Sequence, residues 1–134
     1  MDAIIELQGL RVTVDRLEYR FCFEGNTMKP HAFTYYITIH NDTSETIVIK
    51  GRKWVITASS GNVQAYEGGG VVGEFPTLKP GQSFHYNSYH LINETSVAEG
   101  SYIGQDANGR AVITRIPRFV MEVPKEPTVM QQVA

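Results

Sequence analysis

Apolar and polar residues alternate along most of this chain with a period of two, the spacing of strands that lay one face on a core. The clearest run is His31 to His40, with Phe33, Tyr35, Ile37 and Ile39 as its inward set. Lys53 to Ala58 repeats the pattern, placing Trp54, Ile56 and Ala58 on one side and Lys53, Val55 and Thr57 on the other. Phe84 and Tyr86 alternate in the same way with His85 and Asn87. Leu10 to Tyr19 is a strand whose parity slips, since Val12 and Val14 share one side while Leu17 and Tyr19 fall on the opposite one. A bulge near Asp15-Arg16 restores the facing.

Turn chemistry separates these runs. Ser59-Ser60-Gly61-Asn62 folds the Trp54 strand into a hairpin with Val63 to Tyr66, and Asp106-Ala107-Asn108-Gly109 joins Gly100 to Gln105 with Arg110 to Ile116. Asn41 to Ser44 is a turn cluster leading to Thr46 to Lys50, and Gly51 then marks a bend or bulge. Glu24 to Pro30 is a polar loop. Glu67 to Pro76 is too rich in glycine for a helix interior, where each glycine costs roughly 1 kcal/mol relative to alanine. The expected form there is a loop with at most a short strand at Val71-Val72, followed by a tight turn at Lys79-Pro80-Gly81. Pro117 interrupts the last ladder, as at an edge or bulge, before Phe119 to Val123 completes it. No window shows a 3.6-residue apolar period. Seven or more short antiparallel strands with frequent turn signals predict an all-β sandwich. It occupies residues 1–124 as a single domain, and Pro124 and Pro127 open a loosely ordered tail over 125–134.

Composition narrows the partners. A chain of 134 residues is long enough to bury a core of its own. The formal net charge of −2 and isoelectric point near 6.1 leave no overall basic field, so neither a nucleic acid nor an anionic membrane is an expected partner. Cys22 is the single cysteine, which excludes an internal disulfide and fits a reducing compartment. The N-terminal residues carry Asp2 and no basic region, and no stretch approaches the roughly 20 apolar residues of a membrane span. A cytoplasmic protein is expected.

Candidate chemistry is sparse. Gly68-x-Gly70-x-x-Gly73 matches a dinucleotide pattern in letters, but that motif needs a helix N-terminus directly after it, and Phe75-Pro76 follows. The glycines are read as structural, with a phosphate or pyrophosphate nest of backbone amides, assisted by Arg52 and Lys53, as the alternative. His85 and His90 have opposite parity in one strand, as do His31 and His40, so neither pair shares a metal without a bulge, and a site across an oligomer interface stays open. Asp106 with Asn108 resembles a turn more than a calcium loop. Glu67 and Glu74 flank the glycines as acids on polar loops, and Cys22 sits between Phe21 and Phe23 as a small core residue. Tyr102, after Ala98-x-Gly100, fits a tyrosine corner that ties a sandwich connection to nearby backbone. Trp54 is expected in the core. No cofactor and no catalytic residue is expected.

Gly51-Arg52-x-Trp54-x-Ile56-Thr57, followed by Gly68-x-Gly70-Val71-Val72-Gly73-x-x-Pro76-x-Leu78-x-Pro80-Gly81-x-x-Phe84-x-Tyr86-x-Ser88, resembles the signature of the ApaG family. The likeness extends from Leu10 to Val123 through Gly100-x-Tyr102 and Ile116-Pro117-x-Phe119. The chain departs from it at Val112 and Thr114 and in the Asn93 to Glu99 loop, which looks shortened. What the resemblance implies is a fibronectin type III-like or immunoglobulin-like sandwich. It also implies a link by name to cobalt and magnesium resistance and a suggested pyrophosphate site at the glycine motif. The resulting expectation is a noncatalytic binding or protein-interaction module, monomeric or homodimeric, with an unidentified protein partner. The alternative is a small-anion protein that binds pyrophosphate or a nucleotide through Arg52, Gly68, Gly70 and Gly73, or one tied to divalent-cation homeostasis. Trp54, Pro76, Phe84, Tyr86 and Tyr102 are assigned structural roles.

Overall fold

The computed structural model describes residues 4–22 and 28–125, and among them every regular element is a strand. In chain order these are β1 (Ile5–Glu6), β2 (Leu10–Phe21), β3 (His31–Asn41), β4 (Ile47–Ala58), β5 (Val63–Gly69), β6 (Thr77–Leu78), β7 (Ser83–Ile92), β8 (Ser96–Gln105) and β9 (Ala111–Met121). They form two sheets. One is β2-β3-β7; the other runs β1-β9-β8-β4-β5, with β6 pairing the start of β4. All pairings are antiparallel except β1 with β9, which is parallel.

The alternation read from sequence decides which faces meet. Phe33, Tyr35, Ile37 and Ile39 of β3 are buried and pack across the sandwich against Ile47, Ile49, Trp54 and Ile56 of β4, Ala98 and Tyr102 of β8, and Val112, Ile116 and Met121 of β9. Trp54 is 3% exposed, as its parity predicts, and its strand is interior, between β8 and β5. Register shifts fall between Val14 and Arg16, between Ile49 and Gly51, and at Pro117-Arg118, opposite Glu99. These are the three sites where parity, a glycine and a proline call for a bulge, because an extra residue switches the face of everything after it.

Four expectations are corrected. β5 runs on through Glu67, Gly68 and Gly69, which pair Lys53, Arg52 and Gly51, so the first three residues of the presumed glycine loop are strand. Cross-strand pairing across β4 overrides the low strand preference of glycine. Val71 and Val72 form no strand together: Val71 bridges to Glu74, and Val72 takes a positive φ of 43° in the turn between them. Ser96–Glu99 belongs to β8, not to a loop. The Tyr102 hydroxyl meets the Tyr86 hydroxyl across the sandwich, not nearby backbone, because Tyr102 points inward from mid-strand. The two-residue strands β1 and β6 are too short to leave a period in the sequence.

Polar groups fix the ends of the sandwich. Asn41, 0% exposed, donates from Nδ2 to the carbonyls of Glu45 and Leu78 at 2.8 Å each, while its Oδ1 accepts from the Thr43 amide and hydroxyl at 3.0 and 2.6 Å. Its main chain bonds Gln82 and Gly81 as well. Thr114, buried on β9, donates to the Leu10 carbonyl at 2.8 Å and so ties the second sheet to β2. The two departing positions, Val112 and Thr114, are thus both core. The tail from residue 126, Phe23, and the start of the Glu24 to Pro30 loop lie outside the described residues.

Candidate functional site

The glycine segment is a closed structural turn. Gly70 and Gly73 have φ of +65° and +82°, a region that strains any residue with a Cβ. At Gly70 an added Cβ also collides with the Glu74 carbonyl oxygen, whereas at Gly73 it meets nothing within 4 Å. The amides of Gly70, Val71 and Glu74 donate to the carbonyls of Lys50, Glu74 and Val71 at 2.7 to 2.9 Å. Two of those donors are spent within the turn and the third on β4. Pro76 is buried, and its carbonyl accepts from the Ile49 amide at 2.8 Å, which holds the turn against β4.

Arg52 shares its parity with Trp54 and therefore points between the sheets. Its Nη1 donates to the carbonyls of Gly69 and Gly70 at 2.9 and 3.2 Å, and its guanidinium covers Gly68 so closely that a Cβ there would stand 2.7 Å from Nη2. The structure brings Arg52, Gly68 and Gly70 together and leaves Gly73 at the outer tip of the turn. Among the described residues no carboxylate pairs with Arg52. Lys53 has the opposite parity and faces solvent on the outer side of the sheet.

Beside Arg52 the sandwich stands open. A cleft of about 510 Å³ lies between β5 and β7, within the range that small-molecule and side-chain pockets occupy. Its floor is Tyr35, Trp54 and His90, with ring centroids 4.6 to 4.9 Å apart. Its mouth carries Tyr66, 46% exposed, and Tyr89, 60% exposed. Gln64 Oε1 accepts from Lys29 Nζ at 3.2 Å and from the Tyr66 hydroxyl at 2.7 Å. Burial pushes the His90 imidazole down to about 4, so it is neutral at physiological pH. Burial likewise raises the phenols of Tyr35, Tyr86 and Tyr102. Trp54 Nε1 and His90 Nε2 are buried without a hydrogen-bond partner. Among the described residues the lining carries Arg52 and Lys29 and no carboxylate. Two other hollows, of about 530 and 440 Å³, do hold acids: Glu67 and Glu99 in the first, Asp15 in the second.

Of these cleft residues the sequence singles out Arg52 as an anion ligand, Tyr35 and Trp54 as core, and His90 only as a metal candidate set against His85 by parity. Tyr66, Tyr89 and Gln64 carry no such signal, because the group meets only once the two sheets are superposed. The remaining candidates disperse. His85 faces outward and His90 inward, as parity requires, and His40 lies on the outer face of the small sheet while His31 is buried beside Tyr19. On that outer face Asp15 accepts from Thr13 and Thr38 at 2.8 and 2.5 Å, and these threonines contact His40 and His85 at 2.9 and 2.8 Å. The Thr38 bond, the largest effect, draws the Asp15 carboxyl below its usual range. Asp106 accepts from the amides of Asn108 and Arg110 at 2.9 Å and from Arg110 Nε at 2.7 Å, a turn in which its own side chain closes the loop. Glu67 and Glu74 are exposed, and Cys22 is half-buried. Among the described residues no group of three or more His, Cys, Asp or Glu is placed to hold a metal ion, and no helix is long and apolar enough to cross a membrane.

Comparison with known proteins gives a consistent result. The family profile described as "ApaG domain" matches residues 24–106. A protein of Shewanella halifaxensis described as "Protein ApaG" is 41% identical over 95 residues, covering 70% of this chain and 75% of its own length. One of Brucella canis with the same description is 35% identical over 120 residues, covering 89% of this chain and 92% of its own length. Among solved structures, a Bordetella pertussis protein carrying the ApaA description superposes with a TM-score of 0.71 at 27% identity, covering 92% of this chain and 99% of that one.

Proposed function

The chain belongs to the ApaG domain family, and from that premise we propose that it is a noncatalytic binding module whose flank cleft receives a protein partner. The observation that carries this reading is the cleft between β5 and β7, where buried aromatic rings lead to two exposed tyrosines beside a cation. Aromatic side chains with a polar tip and arginine are the residues that most often anchor protein interfaces. A rigid sandwich holds them in place without further ordering, which lowers the entropy cost of association. The second reading, pyrophosphate or nucleotide binding at Gly68 to Gly73, draws on Arg52 lying against that turn with no carboxylate partner among the described residues. It has fewer donors to use, since the amides of Gly70, Val71 and Glu74 are already bonded.

The test pairs two measurements. Amide chemical shifts are followed while pyrophosphate, a nucleotide, magnesium and cobalt are titrated in turn. Partners retained by the immobilised chain are compared with those retained by Tyr66→Glu and Tyr89→Glu. The expected result is no saturable shift at the glycine turn and a partner lost on both tyrosine variants. Micromolar pyrophosphate binding abolished by Arg52→Ala, with no partner sensitive to Tyr66 or Tyr89, overturns the module reading.

A further inference from the structure

The cleft opens beside an unpaired strand edge. β5 ends its sheet and, among the described residues, pairs with β4 alone. Its ladder is bounded by the Ala58 amide donating to the Asn62 carbonyl and the Gly70 amide donating to the Lys50 carbonyl, both at 2.8 Å. Hydrogen-bonded pairs alternate along an antiparallel ladder, so residues 64, 66 and 68 turn their main-chain groups to β4. Val63, Ala65 and Glu67 turn theirs to the free side. Side chains alternate in the same step: Gln64 and Tyr66 lean over the cleft opposite Ile56 and Trp54, and Gly68 faces it opposite Arg52.

Natural sheets protect such an edge with lysine, proline or a covering segment. Val63–Gly69 contains neither lysine nor proline and carries a single charge, Glu67, while Val63 and Tyr66 are exposed. An extended segment bonded to Val63, Ala65 and Glu67 would direct toward the cleft the side chains it sets opposite Tyr66 and Gly68. Opposite Tyr66 it meets the aromatic floor. Opposite Gly68 it meets a guanidinium, because the absent side chain at 68 lets Arg52 reach the strand edge. Arg52 carries a cation there with no carboxylate partner among the described residues, so the position opposite Gly68 calls for an anionic occupant.

We propose that the free edge of β5 docks an extended acidic peptide segment of another protein, added to the large sheet as a further strand, with a carboxylate opposite Gly68 against Arg52 and a large apolar side chain opposite Tyr66 over Trp54. The proposal rests on the binding-module reading and adds the partner's chemistry: an acid two positions from an apolar residue, in a segment able to extend.

The experiment selects displayed random peptides against the full chain and measures the synthesised winners by fluorescence anisotropy. Winners should share the acid-x-apolar spacing, and replacing the acid by its amide should weaken binding at least tenfold. Ala65→Pro removes an amide that bonds nothing within the sheet, a substitution edge strands tolerate, and should cost at least tenfold in affinity with little change in melting temperature. Two complementary N-methylated forms of one winner, blocking alternate amides, give a test that leaves the protein unaltered: one should lose binding and the other keep it. No enriched peptide, winners lacking the spacing, or equal loss from both N-methylated forms overturns the proposal. Winners whose amide shifts map to another face sink the β5 edge yet leave the module reading standing.

Discussion

Asn41 and the Trp54-His90 pair are both buried polar groups, and the sandwich treats them in opposite ways. At the Asn41 corner the amide group makes four hydrogen bonds that join the end of β3 to the turn at Glu45 and to β6. In the cleft floor, Trp54 Nε1 and His90 Nε2 make none, though Tyr35 and Phe119 crowd both rings. Each unsatisfied buried group costs roughly 1–3 kcal/mol. One end of the sandwich satisfies its buried polar groups in full; the other leaves two of them without a hydrogen bond.

The contrast can be broken at either end. The largest effect is expected from Trp54→Ala, which removes the widest ring of the floor and should cost about 3 to 5 kcal/mol in denaturant unfolding. A native-like midpoint would show that the cleft floor is not core. Asn41→Ala should follow at about 3 kcal/mol, since it takes the side-chain partner from the Leu78 carbonyl and the Thr43 amide and leaves the Glu45 carbonyl with the Thr43 hydroxyl alone. A loss within 0.5 kcal/mol would reduce the corner to an ordinary turn.

The cleft should also respond to acid where the corner does not. His90 titrates at about 4 in the folded chain and near 6.5 when unfolded, so the unfolded state binds the proton first as pH falls. Its contribution is fully present above pH ~6.5 and is lost between there and pH ~4, roughly 3 kcal/mol in all. His31, lowered by burial, acts in the same direction. His90→Phe should therefore flatten the stability profile in that window by about that amount while leaving the His31 portion. An unchanged slope would mean that His90 is solvated. The smallest effect belongs to the turn beside the cleft: Gly73→Ala should cost about 1 kcal/mol from backbone strain alone, and Gly70→Ala about twice that because a carbonyl blocks its Cβ. Equal costs measured by thermal unfolding would mean the turn relaxes freely.

Much of the fold was legible because strand parity is a local property. Val14 and Leu17 disagree about which side is inward, and that disagreement alone places the bulge at Asp15. Gly51 and Pro117 mark two others by their backbone chemistry. Asn41 shows in the sequence only as the start of a turn cluster, since Asn-Asp-Thr-Ser looks the same whether its first residue is buried or not. The strand character of Gly68 and Gly69 was hidden for a related reason: their pairing with Arg52 and Gly51 is imposed from across β4. The candidate site was the least legible part. Arg52 stood out as a cation near glycines, but its neighbours Tyr66, Tyr89 and His90 come from two strands that are never paired, and no periodicity records which edges of two sheets lie side by side.

The parallel pairing of β1 with β9 has a mechanical consequence. These are the first and last strands, and they run in the same direction, so tension on the two ends of the described chain would slide one along the other. The pairs Ile5 with Val112 and Glu6 with Ile113 would be loaded together, in shear, instead of peeling apart one after the other. The Glu6 to Arg115 ion pair and the Thr114 to Leu10 bond lie along the same seam. A partner strand on β5 would sit at the far edge of that sheet, so a pull on the ends of the chain would reach β1 and β9 before it reached the docked segment.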